Sequence, residues 1–558
     1  MNERRRDLLV IALLGALLFL PGLGLRDVWN PDEARYAEVA REMRLLGHWA
    51  VPHLNGQVYR EKPPLFFWSV ALSGGLTGGL DETDSRLPSA LAAIAATLLV
   101  YLIGGRFFGR RAAWLAAAAF ATCFKVIWQG RFGQIDMLLT ALVTLGVWFW
   151  VRGYTEKRPG FHLLFFLAAG FATLAKGPVG LLPPLLSMLA FLAVVRDGRG
   201  REELRRMRIG RGLLLWAAVM LCWLVPAGLD AGPDYLRTLI VKQNVTRYAN
   251  PWHHFAPPWY YLEVFPGEFF PWSFLLPAAI AAGWQRWRKR APDDAGPLLA
   301  DSTRALDDLV DTRARQGFLF ALCWALVTLV FFSISPAKRS VYILTMYPAA
   351  ALLVGAGLDR IAAEWPRWRR GVTIPLGLVA GLAFLATAAV PVAGRNRAEV
   401  VPLGGAPFLF SMSAVLLPLL AGAATAWWLA RSGAVPRAAA ALAAGMALTG
   451  LGMAVFALPP FDAIKSARGL SRVLAARMAP GETYGIYPRL DSTFLFYTHR
   501  FCEDLNSEAR LREFLARPGR AWLLAQKDDF SKLRNLPPLT EVARDADPKD
   551  GYILFLKP

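Results

Sequence analysis

Apolar stretches close to the ~20 residues a helix needs to cross a bilayer recur from the N-terminus to about Pro459. Inside a membrane every backbone polar group must be satisfied by the chain itself, and only helices or a closed barrel achieve that. Runs this long predict helices. The composition agrees, since 55% hydrophobic and only 19% charged residues fall outside the range of ordinary soluble domains. The formal net charge of +20 invites a nucleic-acid reading. The basic residues, however, gather in short clusters between apolar runs: Arg4–Arg6, Arg106–Arg111, Arg196–Arg211, Arg286–Arg290 and Arg360–Arg370. Cytoplasmic loops facing an anionic leaflet look this way, so membrane lipids are expected as partners and nucleic acid is not. Cys123, Cys222, Cys323 and Cys502 show no metal-like spacing and read as small apolar fillers.

One stretch decides the topology. Phe161–Val195 runs 35 residues, which as a single helix would be ~52 Å long against a ~30 Å hydrocarbon core. Lys176-Gly177-Pro178 interrupts it with a charge and a helix breaker, so it divides into two spans with Lys176 at a membrane surface. The basic cluster at Arg196–Arg211 makes the next loop cytoplasmic and puts Lys176 outside. Thirteen spans follow, near 8–25, 86–105, 112–130, 137–151, 161–175, 178–195, 212–229, 266–284, 317–334, 341–358, 371–392, 406–430 and 437–458. The first resembles a signal peptide, but no small-residue cleavage site follows it, and it is read as a retained helix.

The N-terminus is then inside and the C-terminus outside. Pro64–Leu80, rich in glycine, becomes a helix lying along the outer surface. Outer loops 26–80 and 230–265 belong to a membrane domain of residues 1–460, and residues 461–558 read as a small outer α/β domain. The fold class expected is therefore an all-α polytopic membrane protein with an appended α/β unit.

The first outer loop reads Asn30-Pro31-Asp32-Glu33-Ala34-Arg35-Tyr36, then Glu38, Arg41 and Glu42 at helical spacing. Glu38, Arg41 and Glu42 read as a solvated helix face. Asp32 and Arg35, a membrane-apposed carboxylate beside a guanidinium, suit a cleft. In Tyr59-Arg60-Glu61-Lys62-Pro63-Pro64 two readings stand side by side: interfacial anchoring, or a phosphate site with Lys62 as point charge and Tyr59 as donor. Arg131, Asp136, Lys176, Arg247, His253, His254, Lys338, Arg339 and Tyr342 fall on the same outer side. That side should be poor in Lys and Arg, and an anionic ligand such as a lipid phosphate explains the excess better than separate snorkelling anchors.

These segments resemble ArnT-type aminoarabinose transferases. The resemblance is carried by Asn30–Tyr36, Gly47–Gly56, Tyr59–Leu65, Arg86–Ala90, Asp136–Leu138, Ala175–Pro178, His254–Trp259 and Lys338–Tyr342. It implies the GT-C fold shared with protein O-mannosyltransferases. It also implies transfer of a sugar from undecaprenyl phosphate to lipid A or another glycolipid, at the periplasmic face of a bacterial inner membrane. By position, Asp32, Arg35, Asp136 and Lys62 would be catalytic. Tyr59, Lys62, Lys176, Arg247, Lys338 and Tyr342 would hold the donor phosphate. The resemblance requires no cofactor, but implies a zinc pair at Glu61 and His254, with His253 adjacent and the register open by one residue. A protein O-mannosyltransferase is the alternative among enzymes, and a transporter the alternative outside them.

Overall fold

The computed structural model describes residues 2–195, 200–246, 248, 254–288, 302–395, 397, 400–547 and 551–558. Among these, nine helical segments are long and apolar enough to cross a membrane: Glu82–Phe107, Ile135–Glu156, Pro159–Lys176, Gly200–Asn244, Asp311–Ile334, Ser340–Ala363, Trp365–Gly394, Ala406–Arg431 and Val435–Lys465. The other four expected spans are helical but short or broken. They are Glu3–Phe19, Arg110–Ala121 with Phe124–Gln129, Leu182–Val194, and Tyr260–Glu268 with Leu276–Arg288. Two of the breaks repair each other, because the Phe124 N–H donates to the Phe270 carbonyl at 2.9 Å. In Ser340–Ala363 89% of the apolar window is buried, against 17% in Trp365–Gly394. The first lies mid-bundle and the second at the rim.

The break at Lys176-Gly177-Pro178 is realised. The helix Pro159–Lys176 ends at Gly177 with φ +85°, a conformation that favours glycine, and a Cβ there would collide with the Asn244 side chain. Leu65–Thr77 is a 13-residue helix, ~20 Å long and too short to cross. It buries Phe66, Phe67 and Val70, while Leu72 and Leu76 are 64% and 81% exposed. The Arg131 guanidinium donates to the carbonyls of Leu18 (2.6 Å) and Pro21, closing the carbonyl end of the first helix.

A two-stranded hairpin, β1 (His53–Leu54) and β2 (Gln57–Val58), decorates the first outer loop. Past Phe461 the chain builds a five-stranded sheet from β3 (Tyr484–Tyr487), β4 (Glu503–Asp504), β5 (Ala521–Gln526), β6 (Thr540–Arg544) and β7 (Tyr552–Lys557). The strand order is β4-β3-β5-β7-β6, with β3 parallel to both neighbours and β7 antiparallel to β5 and β6. Every residue of β3, and β5 up to Ala525, is buried, as expected for strands covered on both faces.

This C-terminal unit docks on the loop that carries the hairpin and the helix Asp32–Leu46. The Val28 N–H donates to the Tyr497 hydroxyl at 2.8 Å, and Arg468 pairs with Asp27 at 2.7 Å. Asn55 and the Cys502 backbone exchange two hydrogen bonds of 2.8 and 3.0 Å. The docking corrects one expectation. Glu38 and Glu42 are fully buried rather than solvated; Glu38 pairs with Arg41 at 2.7 Å, and Glu42 accepts the N–H groups of Asn55 (2.5 Å) and Gly56 (2.9 Å). Helix Ser492–Thr498 packs onto the helix Asp32–Leu46, and a covering element that arrives 450 residues later leaves no mark on local periodicity.

Candidate active site

Asp32 opens the helix Asp32–Leu46, where unsatisfied N–H groups and the helix dipole favour an anion. Its neighbour Glu33 holds this turn in place. The buried Glu33 carboxylate accepts from Arg26 (2.8 and 3.0 Å), Arg86 (2.8 and 3.1 Å) and the N–H groups of Trp29 (3.1 Å) and Gly133 (3.0 Å). Burial opposes its charge, but Arg26 and Arg86 hold its pKa well below the ordinary carboxylate range. The approach of Gly133 requires glycine, since a Cβ there would stand 2.8 Å from the Ser85 carbonyl oxygen.

With that turn fixed, Arg339 donates to Asp32 Oδ2 at 2.7 Å. Burial alone would raise the Asp32 carboxyl; Arg339, with Arg35 and Lys62 behind it, lowers it below its ordinary value. One turn on, Arg35 reaches Glu61 Oε2 at 3.3 Å, and the Tyr59 hydroxyl donates to the same oxygen at 3.3 Å. Burial pushes the Tyr59 phenol well above its usual range, so it stays a hydroxyl donor. Asp136, in the first turn of Ile135–Glu156, is ion-paired with Lys176 at the last turn of Pro159–Lys176. Lys176 Nζ also lies 4.8 Å from the centre of the Tyr342 ring, within cation–π range.

Lys62, Lys176 and Tyr342 meet on one cavity of about 110 Å³, whose remaining wall includes Glu61, Asn244 and Tyr248 and the apolar Leu139, Val179 and Phe332. An anionic headgroup beside an apolar wall is what a lipid phosphate presents. Lys338 departs from expectation. Its buried ammonium donates to the carbonyls of Ser335 (2.6 Å) and Ala256 (3.1 Å), stitching two interhelical segments together. Arg339, one residue on, supplies the cation that faces Asp32. Arg247 and His253 lie outside the described residues.

The expected zinc pair is Glu61 with His254. Glu61 already accepts from Arg35 and Tyr59, and His254 is exposed. No cluster of three or more His, Cys, Asp or Glu suited to a metal occurs among the described residues.

Glu33, Arg26 and Arg86 had no place among the expected site residues. The signal available was Arg86 itself, a guanidinium at the head of an apolar helix, where a buried partner is the usual reason for its survival.

Comparison with known proteins gives consistent results. Residues 61–225 match the family described as dolichyl-phosphate-mannose-protein mannosyltransferase. An undecaprenyl phosphate-alpha-4-amino-4-deoxy-L-arabinose arabinosyl transferase from Erwinia tasmaniensis is 30% identical over 434 residues, covering 75% of this chain and 73% of that protein. One of the same description from Shewanella sediminis is 31% identical, covering 70% of this chain and 66% of the relative. The crystal structure of ArnT from Cupriavidus metallidurans bound to undecaprenyl phosphate superposes with a TM-score of 0.79 over 99% of this chain and 98% of that one, at 24% identity. The fold is the same.

Proposed function

The chain belongs to the family of undecaprenyl phosphate-alpha-4-amino-4-deoxy-L-arabinose arabinosyl transferases, and from that membership we propose that it moves the aminoarabinose from undecaprenyl phosphate to a phosphate of lipid A. It is a glycosyltransferase of the GT-C type and a multi-pass membrane protein. We place its site at the periplasmic face of a bacterial inner membrane, with thirteen spans, the N-terminus inside and the C-terminus outside. Residues 1–460 carry the reaction and residues 461–558 form the appended unit.

The observation that carries the reading is an ionised carboxylate, Asp32 held by Arg339, beside a cavity that joins Lys62, Lys176 and Tyr342 to an apolar wall. In the reaction the bond from the sugar's anomeric carbon to the polyprenyl phosphate oxygen breaks, and both electrons leave with the phosphate. An acceptor phosphate oxygen makes the new bond. The sugar passes through an oxocarbenium-like state. Lys62 and Lys176 stabilise the charge growing on the leaving phosphate, and Asp136 and Tyr342 hold Lys176 in position. Tyr59 and Arg35 fix Glu61 at the rim.

A carboxylate whose pKa is depressed makes a weak base. An acceptor phosphate is already anionic and needs no deprotonation. Asp32 therefore acts by placing Arg339 toward the acceptor and by steadying positive charge on the sugar. Protein O-mannosyl transfer is the second reading, favoured by the match over residues 61–225.

The test is reconstitution of the purified chain in nanodiscs with undecaprenyl-phosphate-linked aminoarabinose and lipid A, followed by mass spectrometry. The expected product is lipid A carrying the aminopentose on a phosphate. No product, or sugar found on protein hydroxyls, overturns the reading.

A further inference from the structure

A second cavity, of about 440 Å³, opens against Asn30, Pro31 and Arg35, around the start of the helix Asp32–Leu46. Its floor is Asn30, Pro31 and Arg35 of the first outer loop; its roof is Lys465, Arg489 and Asp491 of the C-terminal unit. Its size lies within the ~300–1,000 Å³ of pockets that enclose small ligands. It shares no lining residue with the cavity that holds Lys62 and Lys176. Arg35 separates the two: it borders the second cavity while its guanidinium reaches Glu61, which lines the first.

The chemistry of the two linings differs. The first has two lysines, one carboxylate (Glu61) and a lining rich in apolar side chains such as Leu139, Val179, Leu239 and Phe332. The second mixes cations (Arg35, Lys465, Arg489), carboxylates (Asp491, Asp545), amides (Asn30, Gln526) and one ring, Tyr552. Sugar hydroxyls need donors and acceptors together, and a phosphate on the sugar uses the cations, arginine best of all. The wall is built rather than loose, since Asp491 is 8% exposed and its carboxylate accepts the Thr493 N–H at 2.9 Å. Transfer also needs its two substrates on opposite sides of the groups that act between them, and Arg35, which borders this cavity while its guanidinium reaches Glu61 of the first, meets that need.

We infer that this second cavity receives the phosphorylated sugar headgroup of the acceptor, so that the C-terminal unit is an acceptor-recognition element. The inference rests on the transferase reading above.

Full-length wild type, Arg489→Gln, Lys465→Gln and the double variant in nanodiscs test it. Lys532→Gln, on an exposed residue of the same unit away from the cavity, is the control. Three quantities are measured: undecaprenyl phosphate binding, lipid A binding, and kcat with KM for each substrate. Arg489 and Lys465 are exposed, and their variants are expected to fold. The expected result is a rise of about tenfold in acceptor KM and in the lipid A dissociation constant for each single variant, as for loss of one charge-assisted contact. Donor KM and undecaprenyl phosphate binding should stay within about twofold. Dephosphorylated lipid A should bind wild type and double variant alike.

If wild type binds and modifies lipid A while the variants keep their acceptor KM, the cavity assignment alone fails. If wild type binds undecaprenyl phosphate but neither binds nor modifies lipid A, the lipid A reading and this site fall together. If the variants lose donor binding equally, the cavity is not an acceptor site.

Discussion

Arg339 and Asp32 meet at 2.7 Å across 307 positions of sequence, joining the segment after the helix Ser302–Ile334 to the head of the first outer loop. The contact holds the Asp32 carboxyl below its ordinary value.

Asp32→Asn keeps shape and removes charge. Turnover should fall on the order of a hundredfold or more, about 2.7 kcal/mol, while undecaprenyl phosphate binding persists. Steady-state rates beside a direct binding isotherm decide it. Turnover within about threefold of wild type would reduce Asp32 to a helix cap.

Glu33→Gln is expected to act on the fold. It leaves the buried Arg26 and Arg86, 5% and 1% exposed, without their shared anion, a change that costs about 3–5 kcal/mol in comparable sites. Thermal unfolding in detergent should show a large loss for Glu33→Gln and a smaller one for Asp32→Asn, whose partner Arg339 is a third exposed. Equal melting temperatures for the two variants would mean Glu33 is not the anchor of this turn.

Lys62→Gln and Lys176→Gln should each lower kcat more than they weaken donor binding, because a charge on a leaving phosphate matters most in the transition state. A membrane anchor would tolerate Lys62→Gln and accept Lys62→Arg fully. At saturating donor, near-normal turnover of Lys62→Gln returns that residue to the membrane surface.

Glu42 gives a pH signature. Burial raises its carboxyl to about 7, while the Gly56 and Asn55 N–H groups pull the other way and Glu38 adds to the rise. A carboxyl raised from its unfolded value of about 4.3 stabilises the fold through its protonated form. That contribution is complete below the unfolded value and is lost as pH climbs through about 7. The melting temperature should therefore decline over that interval, and Glu42→Gln should flatten the decline. An unchanged slope in the variant would assign the pH dependence to another group.

The parts of this site legible in sequence were those whose cost is local. A lysine at Lys176-Gly177-Pro178 breaks an apolar run, and Lys62 stands before two prolines on a side of the membrane that should be poor in cations. Asp32 after Asn30-Pro31 announces a helix start. What escaped depends on distant partners. Lys338 and Arg339 are adjacent cations, and only the loop bridge at Phe255 and Ala337 turns one toward carbonyls and leaves the other for Asp32. Glu38 and Glu42 have the spacing of a wet helix face until the C-terminal unit covers it. Glu33 is satisfied by Arg26 seven residues before it, by Arg86 from the next long helix and by the Gly133 N–H a hundred residues on.

Asp32 and Arg35 stand three residues apart on one helix, so ~4.5 Å of axial rise acts as a ruler between the carboxylate that meets Arg339 and the guanidinium that meets Glu61. That spacing is written in helix pitch and does not depend on a loop closing. Glycine in place of the buried Ala34 would leave every polar contact in both cavities chemically intact and still blur that ruler, and its signature would be wasted turnover: donor cleaved by water in place of the acceptor.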